Sequence, residues 1–203
     1  MFFRQIRHLG DNFSYVLADE TTREAAVVDP SFNADTIIHL SEDRHLNVKY
    51  VINTHSHGDH TAGNEDIKSK YDAKIVAHKL SAVNKDISVI DGDTIKVGNV
   101  SIEVIYTPGH TPDGICLLVG DKLLTGDTLF VGECGRTDLS GGSAKDMYYS
   151  LFHKLAKLDD KVEVYPGHDY GSKPHSTIGW EKRTNYTLEK RSLEEFVEFM
   201  KEP

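Results

Sequence analysis

The sequence predicts an α/β domain whose sheets are covered by helices, and three observations carry that reading. Short apolar runs rich in β-branched residues recur along the whole chain, amphipathic stretches at helical spacing lie between them, and several runs end on Gly, Pro, Asp or His. The 203 residues, 38% of them apolar, suffice to bury a core and fit one domain spanning 1–203.

Taken in order, strands are expected at 13–17, 25–28, 50–53, 74–77, 94–97, 101–106, 115–119, 122–125 and 162–165. Ser101-Ile102-Glu103-Val104-Ile105 alternates in the manner of a half-buried strand. Gly98-Asn99 and Gly120-Asp121 have hairpin-turn chemistry and separate neighbouring runs. A first helix is expected at Ala34–Asp43, carrying Ile37, Ile38 and Leu40. A second should occupy 143–158, opened by Ser143, with Met147, Leu151, Leu155 and Leu158 on one stripe. The pattern Ser192-Leu193-Glu194-Glu195 starts a last short helix with a capping box, and Phe196 and Phe199 share its apolar face.

Composition narrows the function. A balance of 23 Lys+Arg against 32 Asp+Glu gives a formal charge of −9, which opposes nucleic acid or an anionic membrane surface as partner. No apolar run approaches the roughly 18 residues of a membrane span. Two cysteines cannot build a disulfide framework or a cysteine-rich zinc site, and the opening Met1-Phe2-Phe3-Arg4 does not read as a secretory signal, so a cytoplasmic setting is expected. Histidine stands out: eleven residues, several grouped beside Gly and Asp.

Four segments share one arrangement, an apolar strand run followed by a turn residue and then His or Asp. They end at His55-Ser56-His57-Gly58-Asp59-His60, at Thr107-Pro108-Gly109-His110, at Thr125-Gly126-Asp127 and at Pro166-Gly167-His168. Each places a candidate metal ligand just past the carboxyl end of a strand, the edge where α/β sheets bind ligands. His55 and His57, two positions apart, fall on one side of an extended segment, and Gly58 would permit a turn that brings Asp59 and His60 alongside. Three imidazoles and a carboxylate in six residues suit zinc, or iron or manganese.

Other candidates read more simply. Cys116 lies inside an apolar strand, and Cys134 fits a small structural thiol. His39 and His45 fall in or just after a helix rich in charge, His153 lies off the apolar stripe of its helix, and His8, His78 and His175 lack ligand context, although His175 lies close to the last site-bearing segment. Asp29, ending a strand, fits either an ordinary turn or a partner for a ligating imidazole.

At residues 55–60 the chain resembles the metallo-β-lactamase superfamily, whose His-x-His-x-Asp-His signature stands there, and the later motifs follow in order to about residue 185. The resemblance implies a metallo-β-lactamase-like αββα four-layer sandwich with metals at one edge of the sheets. It implies that His55, His57 and His110 hold one divalent ion and Asp59, His60 and His168 a second, with Asp127 bridging; Asp59 and Asp127 would be the catalytic carboxylates. Two Zn²⁺ are the expected ions, with Fe²⁺ or Mn²⁺ as substitutes.

Within the superfamily, Thr125-Gly126-Asp127-Thr128-Leu129-Phe130, Cys134-Gly135-Arg136 and Gly167-His168-Asp169-Tyr170 resemble the glyoxalase II and persulfide dioxygenase branch. That likeness implies a small thiol-derived substrate of glutathione type, touched by Arg136 and Tyr170. A surface ion pair with Asp138 is the plainer reading of Arg136. Thr137 and Asp138 stand where glyoxalase II carries an aromatic pair, Gly135-Arg136-Thr137-Asp138 is closer to the dioxygenase pattern, and the dioxygenase arginine falls at Thr187.

The expected activity is hydrolysis of a thioester such as S-lactoylglutathione by metal-held hydroxide. The alternative is a glutathione persulfide dioxygenase holding one Fe(II) through His55, His110 and Asp127, a facial triad. Persulfide dioxygenases keep all seven ligand positions. A nuclease would need a basic face, and a flavodiiron protein would place a carboxylate at His57; lactone hydrolysis uses the same metal chemistry as the thioester reaction.

Overall fold

The computed structural model describes residues 1–8 and 10–201. Two six-stranded mixed sheets lie face to face. The first contains β1 (Phe2–Arg7), β2 (Phe13–Ala18), β3 (Glu24–Val28), β4 (Asn47–Ile52), β5 (Lys74–His78) and β6 (Ile87–Val89), in that spatial order. The second runs β12 (Ser176–Thr177), β11 (Glu163–Pro166), β10 (Lys122–Gly126), β9 (Ile115–Val119), β8 (Val100–Tyr106) and β7 (Thr94–Val97). β3 to β6 pair in parallel, as do β10 and β11; the remaining neighbours are antiparallel.

Three apolar clusters make the layers. Residues such as Tyr15, Leu17, Ile52, Val76, Ile102, Leu117 and Leu124 fill the space between the sheets. Val16, Val27, Val48, Val51 and Ile75 face outward from the first sheet onto α1 (Ala34–Asp43) and α3 (Asn64–Tyr71), which contribute Ile37 and Ile67. Cys116, Leu123 and Val164 face outward from the second sheet onto α4 (Ala144–Tyr148), α5 (Ile178–Thr184) and α6 (Leu193–Phe199), through Met147, Ile178 and Phe196. The strands β2 and β3 are buried on both faces, which is why they read as continuous apolar runs. The αββα sandwich expected from the sequence is the fold observed.

Differences are local. β1, β6 and β12 are short or half-exposed edge elements with little apolar signal. The helix expected at 143–158 begins where Ser143 accepts from Asp146 N, but only Ala144–Tyr148 is α-helical. The chain then widens into a π-helical stretch, Tyr149–Lys154, and tightens to a 3₁₀ turn, Leu155–Lys157. The wide stretch turns two neighbours, Ser150 and Leu151, inward together; Ser150 Oγ donates to Pro108 O at 2.7 Å.

What matters for the site is direction. β4, β8, β10 and β11 all deliver their carboxyl ends to one edge of the sandwich, where Ile115 N donates to Thr54 O and Gly167 N to Gly126 O, each at 2.8 Å. Two glycines make the close approach possible. Gly126 has φ +48° and lies so near Thr54 that a Cβ would collide with Thr54 Oγ1; a Cβ on Gly167 would collide with Asp127 Oδ1.

Candidate metal centre

Seven side chains converge at that edge, and they are the seven that the sequence singles out. Their donor atoms form three groups, His55/His57/His110, Asp59/His60/His168 and His55/His60/Asp127, within each of which the atoms lie within 4.8 Å of one another. Asp127 is central: its Oδ2 is 3.5 Å from His110 Nε2, 3.3 Å from His168 Nε2 and 3.9 Å from His55 Nε2, and its Oδ1 is 3.3 Å from His60 Nε2. Asp59 Oδ2 stands 3.4 Å from His60 Nε2 and 3.3 Å from His168 Nε2. His55 and His57 follow the extended end of β4 on one side, as their spacing requires. Gly58, in contrast, has an ordinary φ and open space around it; a short helix, α2 (Gly58–Thr61), carries Asp59 and His60 into place without a glycine-only turn.

The ring protons show what the centre is built to hold. Thr54 Oγ1 donates to Asp29 Oδ2 at 2.6 Å, so its oxygen accepts from His55 Nδ1 at 3.1 Å. His110 Nδ1 donates to Arg136 O at 2.8 Å, His60 Nδ1 to Asp29 Oδ2 at 3.2 Å, and His168 Nδ1 to Asp11 Oδ1 at 3.1 Å. With Nδ1 protons committed outward, the neutral rings of His55, His60, His110 and His168 turn Nε2 inward: His60 and His168 face each other at 3.1 Å, and His55 and His110 face His57 Nδ1 at 3.1 and 3.0 Å. Between His60 and His168 this sets lone pair against lone pair, which is repulsive unless a proton or a metal ion lies between them. Asp127 Oδ1, buried, has no hydrogen-bond partner. The donor set, five imidazoles and two carboxylates, fits borderline divalent ions.

Charge follows the same logic. Burial, with His60 nearby, pushes His55 well below the ordinary imidazole range, and burial lowers His110 as well. Burial opposes charge on His60 and His168 too, but the carboxylates outweigh it: Asp127 and Asp29 raise His60, and Asp127 and Asp59 hold His168 up at about 10. Asp59 is held well below the carboxylate range, chiefly by its hydrogen bond from His168. Asp127 is held there by His60 and His168 against the cost of its burial. Without metal, the second group therefore favours retaining protons that a bound ion would have to displace.

The remaining candidates fall into place around the centre. Asp29 is a hydrogen-bond partner of the His60 imidazole, not a free turn residue; its Oδ1 also accepts from Thr54 N at 2.8 Å. Arg136 and Tyr170 line a cleft of about 190 Å³ with His110, Asp127 and Phe130. Arg136 is exposed and bound through two hydrogen bonds of 2.7 and 2.6 Å to Asp138, the plainer of the two readings. Tyr170 lies flat on His168 with ring centroids 4.8 Å apart. Burial lifts the Cys116 and Cys134 thiols to about 11 and about 12, so both are inert at neutral pH. His175 stacks on Tyr165 instead of entering the centre, and His78 stacks on Tyr106. Sequence reasoning missed Asp11 and Asn12: their contacts with His168 and Asp59 span so much chain that no local pattern announces them.

Comparison with known proteins agrees with this geometry. The mitochondrial persulfide dioxygenase ETHE1 of Homo sapiens is 36% identical over 192 residues, covering 93% of this chain and 75% of its own length. A probable hydroxyacylglutathione hydrolase of Schizosaccharomyces pombe is 38% identical over 168 residues, 79% of this chain and 65% of the relative, so the chain spans just under two thirds of that protein. The crystal structure of ETHE1 from Myxococcus xanthus superposes with a TM-score of 0.95 at 36% identity, covering 100% of this chain and 91% of that one. The family model described as the metallo-beta-lactamase superfamily matches residues 9–168, and with the site assembled from those same segments the chain belongs to that superfamily of enzymes.

Proposed function

We propose that the protein hydrolyses the thioester of a low-molecular-weight thiol, such as S-lactoylglutathione, with two divalent ions, most simply Zn²⁺, held by His55, His57 and His110 on one side and Asp59, His60 and His168 on the other, with Asp127 shared. The observation that supports a two-ion site is the complete second trio, whose imidazoles are each tied at Nδ1 and aim Nε2 at the same point as Asp59; persulfide dioxygenases keep these positions too, so the choice of reaction rests on the experiment below. When bound, such ions polarise a carbonyl and make water nucleophilic at neutral pH.

The chain's own side chains do the rest. Asp127 and Asp59, both held ionised, supply the charge that keeps cations and a reacting water in place. Phe130, buried edge-on to His168, walls off one side of the cleft. Arg136 is positioned to exchange Asp138 for a carboxylate of the thiol, since an exposed ion pair of this kind costs little to open. Burial and the nearby Asp11, Asp127 and Asp59 charges lift the Tyr170 phenol to about 12, so it stays a hydrogen-bond donor. The leaving thiol, with a pKa of roughly 8.5, departs as thiolate without a general acid. A hollow of about 380 Å³ shares Glu133, Cys134 and Arg136 with the cleft and offers room for the thiol's arm. Two free cysteines agree with a reducing, cytoplasmic setting.

The second reading is Fe(II)-dependent oxidation of glutathione persulfide through His55, His110 and Asp127. It is favoured by the likeness to the two ETHE1 proteins over nearly the whole chain. Thioester loss with S-lactoylglutathione, measured beside oxygen uptake with glutathione persulfide, separates the two. Hydrolysis without oxygen consumption is the expected result; oxygen consumption without hydrolysis overturns it.

A further inference from the structure

The two metal-facing trios are supported differently. Behind the first, the ring nitrogens of His55 and His110 rest on neutral oxygens, the Thr54 hydroxyl and the Arg136 carbonyl. Behind the second, every donor has a hydrogen-bond partner, and both imidazoles are backed directly by a carboxylate: Asp29, which also accepts from Thr54, for His60 and Asp11 for His168. Asn12 Nδ2 donates to Asp59 Oδ2 at 2.9 Å, holding the third donor.

Asp11 and Asn12 belong to neither ligand-bearing edge. They lie on the connection between β1 and β2, which backbone bonds fasten to the β11 loop: Phe13 N donates to Gly167 O at 2.8 Å, Asp169 N to Asp11 O at 2.7 Å, and Asn12 bridges His168. Arg7, at the end of β1, adds an ion pair of 3.1 Å to Asp169. Because these bonds do not use the Asp11 side chain, the loop's place does not depend on its carboxylate.

We propose that Asp11 is a positioning residue for the second metal position, fixing the tautomer and aim of His168 and strengthening its Nε2 as a donor, while Asn12 does the corresponding service for Asp59. A carboxylate behind a ligating imidazole draws on the Nδ1 proton and leaves more electron density at the metal-facing nitrogen; a neutral oxygen draws less. The second trio, with two imidazoles against the first trio's three, is the one that receives this support. The inference rests on the two-ion reading given above.

The test is zinc binding, with the loss of activity as a secondary readout. Parent, Asp11→Ala and Asp11→Asn are stripped of metal, and zinc is returned against a chromophoric chelator. The parent should take two zinc ions in two resolvable phases. Asp11→Ala should weaken one phase by about 10–100-fold and leave the other in place. Asp11→Asn keeps an oxygen acceptor and should fall between. Cobalt substitution should show altered absorption for one ion only, and the metal-free melting temperature should match the parent. Two unchanged phases in Asp11→Ala would overturn the assignment, as would equal weakening of both phases with a lower metal-free melting temperature, which marks a merely structural role. A parent that takes a single ion would instead remove the two-ion reading, and this inference with it.

Discussion

Asp127 touches both halves of the centre, whereas Arg136 meets the ligands only through its backbone carbonyl, which accepts from His110, and its side chain is held by Asp138 at the cleft. Their replacement should therefore fail in different ways. Asp127→Ala removes the one carboxylate shared between the donor groups, and its kcat should drop by more than the roughly hundredfold that losing an outer partner of a ligand can cost. Arg136→Ala should raise KM for a carboxylate-bearing thioester with kcat close to the parent, the signature of lost ground-state binding. Steady-state kinetics with metal content measured on each sample checks both. An Asp127 variant with parental kcat would dismiss the bridging role. The residues behind this contrast are legible in the sequence because the ligand segments carry their own punctuation: an apolar run, a small or turn residue, then the donor. Arg136 shows the limit of such reading, since its partner Asp138 lies two positions on and only coordinates show which of two uses the side chain is put to.

Helices rather than strands set the second sheet's outer face, and α6 is the element most open to test. Ser192 Oγ accepts from Glu195 N at 3.2 Å and Glu195 Oε2 accepts from Ser192 N at 2.7 Å, the capping box expected from the sequence. Ser192→Ala should lower stability by about 1 kcal/mol, read as a shift in urea midpoint at constant m-value. Phe196, fully buried beneath the helix, should cost about 3–5 kcal/mol when cut to Ala. A Ser192 variant with the larger loss would mean that the cap also holds the tail segment in place. α6, through its capping box, and α1, through the spacing of Ile37, Ile38 and Leu40, are readable from residues alone. α3 is not: among polar residues it has one fully buried apolar side chain, Ile67, too little periodicity to announce a helix. The π-helical stretch is hidden for another reason, because a stripe at 147, 151 and 155 is shared by regular and widened turns alike.

At the scale of the whole molecule, the donors are divided between the sheets. Residues 55–60 come from the first sheet and His110, Asp127 and His168 from the second, so a cation bound there links them. Ligand held only by the native state stabilises it by about 4 kcal/mol at a thousandfold excess over Kd, which for a chain of this size raises Tm by roughly 10 °C. The size of that rise should depend on pH in one direction. In the metal-free protein His168 is held up at about 10, so the stability from its pairing is full below about 6.5 and fades as pH rises through 10. Metal needs the ring neutral and therefore gains as that proton becomes easier to remove. Calorimetry with zinc and with chelator should show the gap between loaded and stripped Tm widening from pH 6.5 to 8.5. A gap that narrows would contradict the assigned protonation. The sandwich itself is foreseeable from alternating apolar runs, but the edge pieces β1, β6 and β12 owe their conformation to a neighbour's open hydrogen bonds, which a sequence does not display.

The split of donors across two sheets has a consequence for how the protein is made. While a ribosome is still adding β11, the nascent chain carries every donor except His168, whose segment supplies the final wall of the cage. Were ions held as proposed, the second trio could close only after synthesis of that segment, whereas the first trio and Asp127 stand in the chain before it.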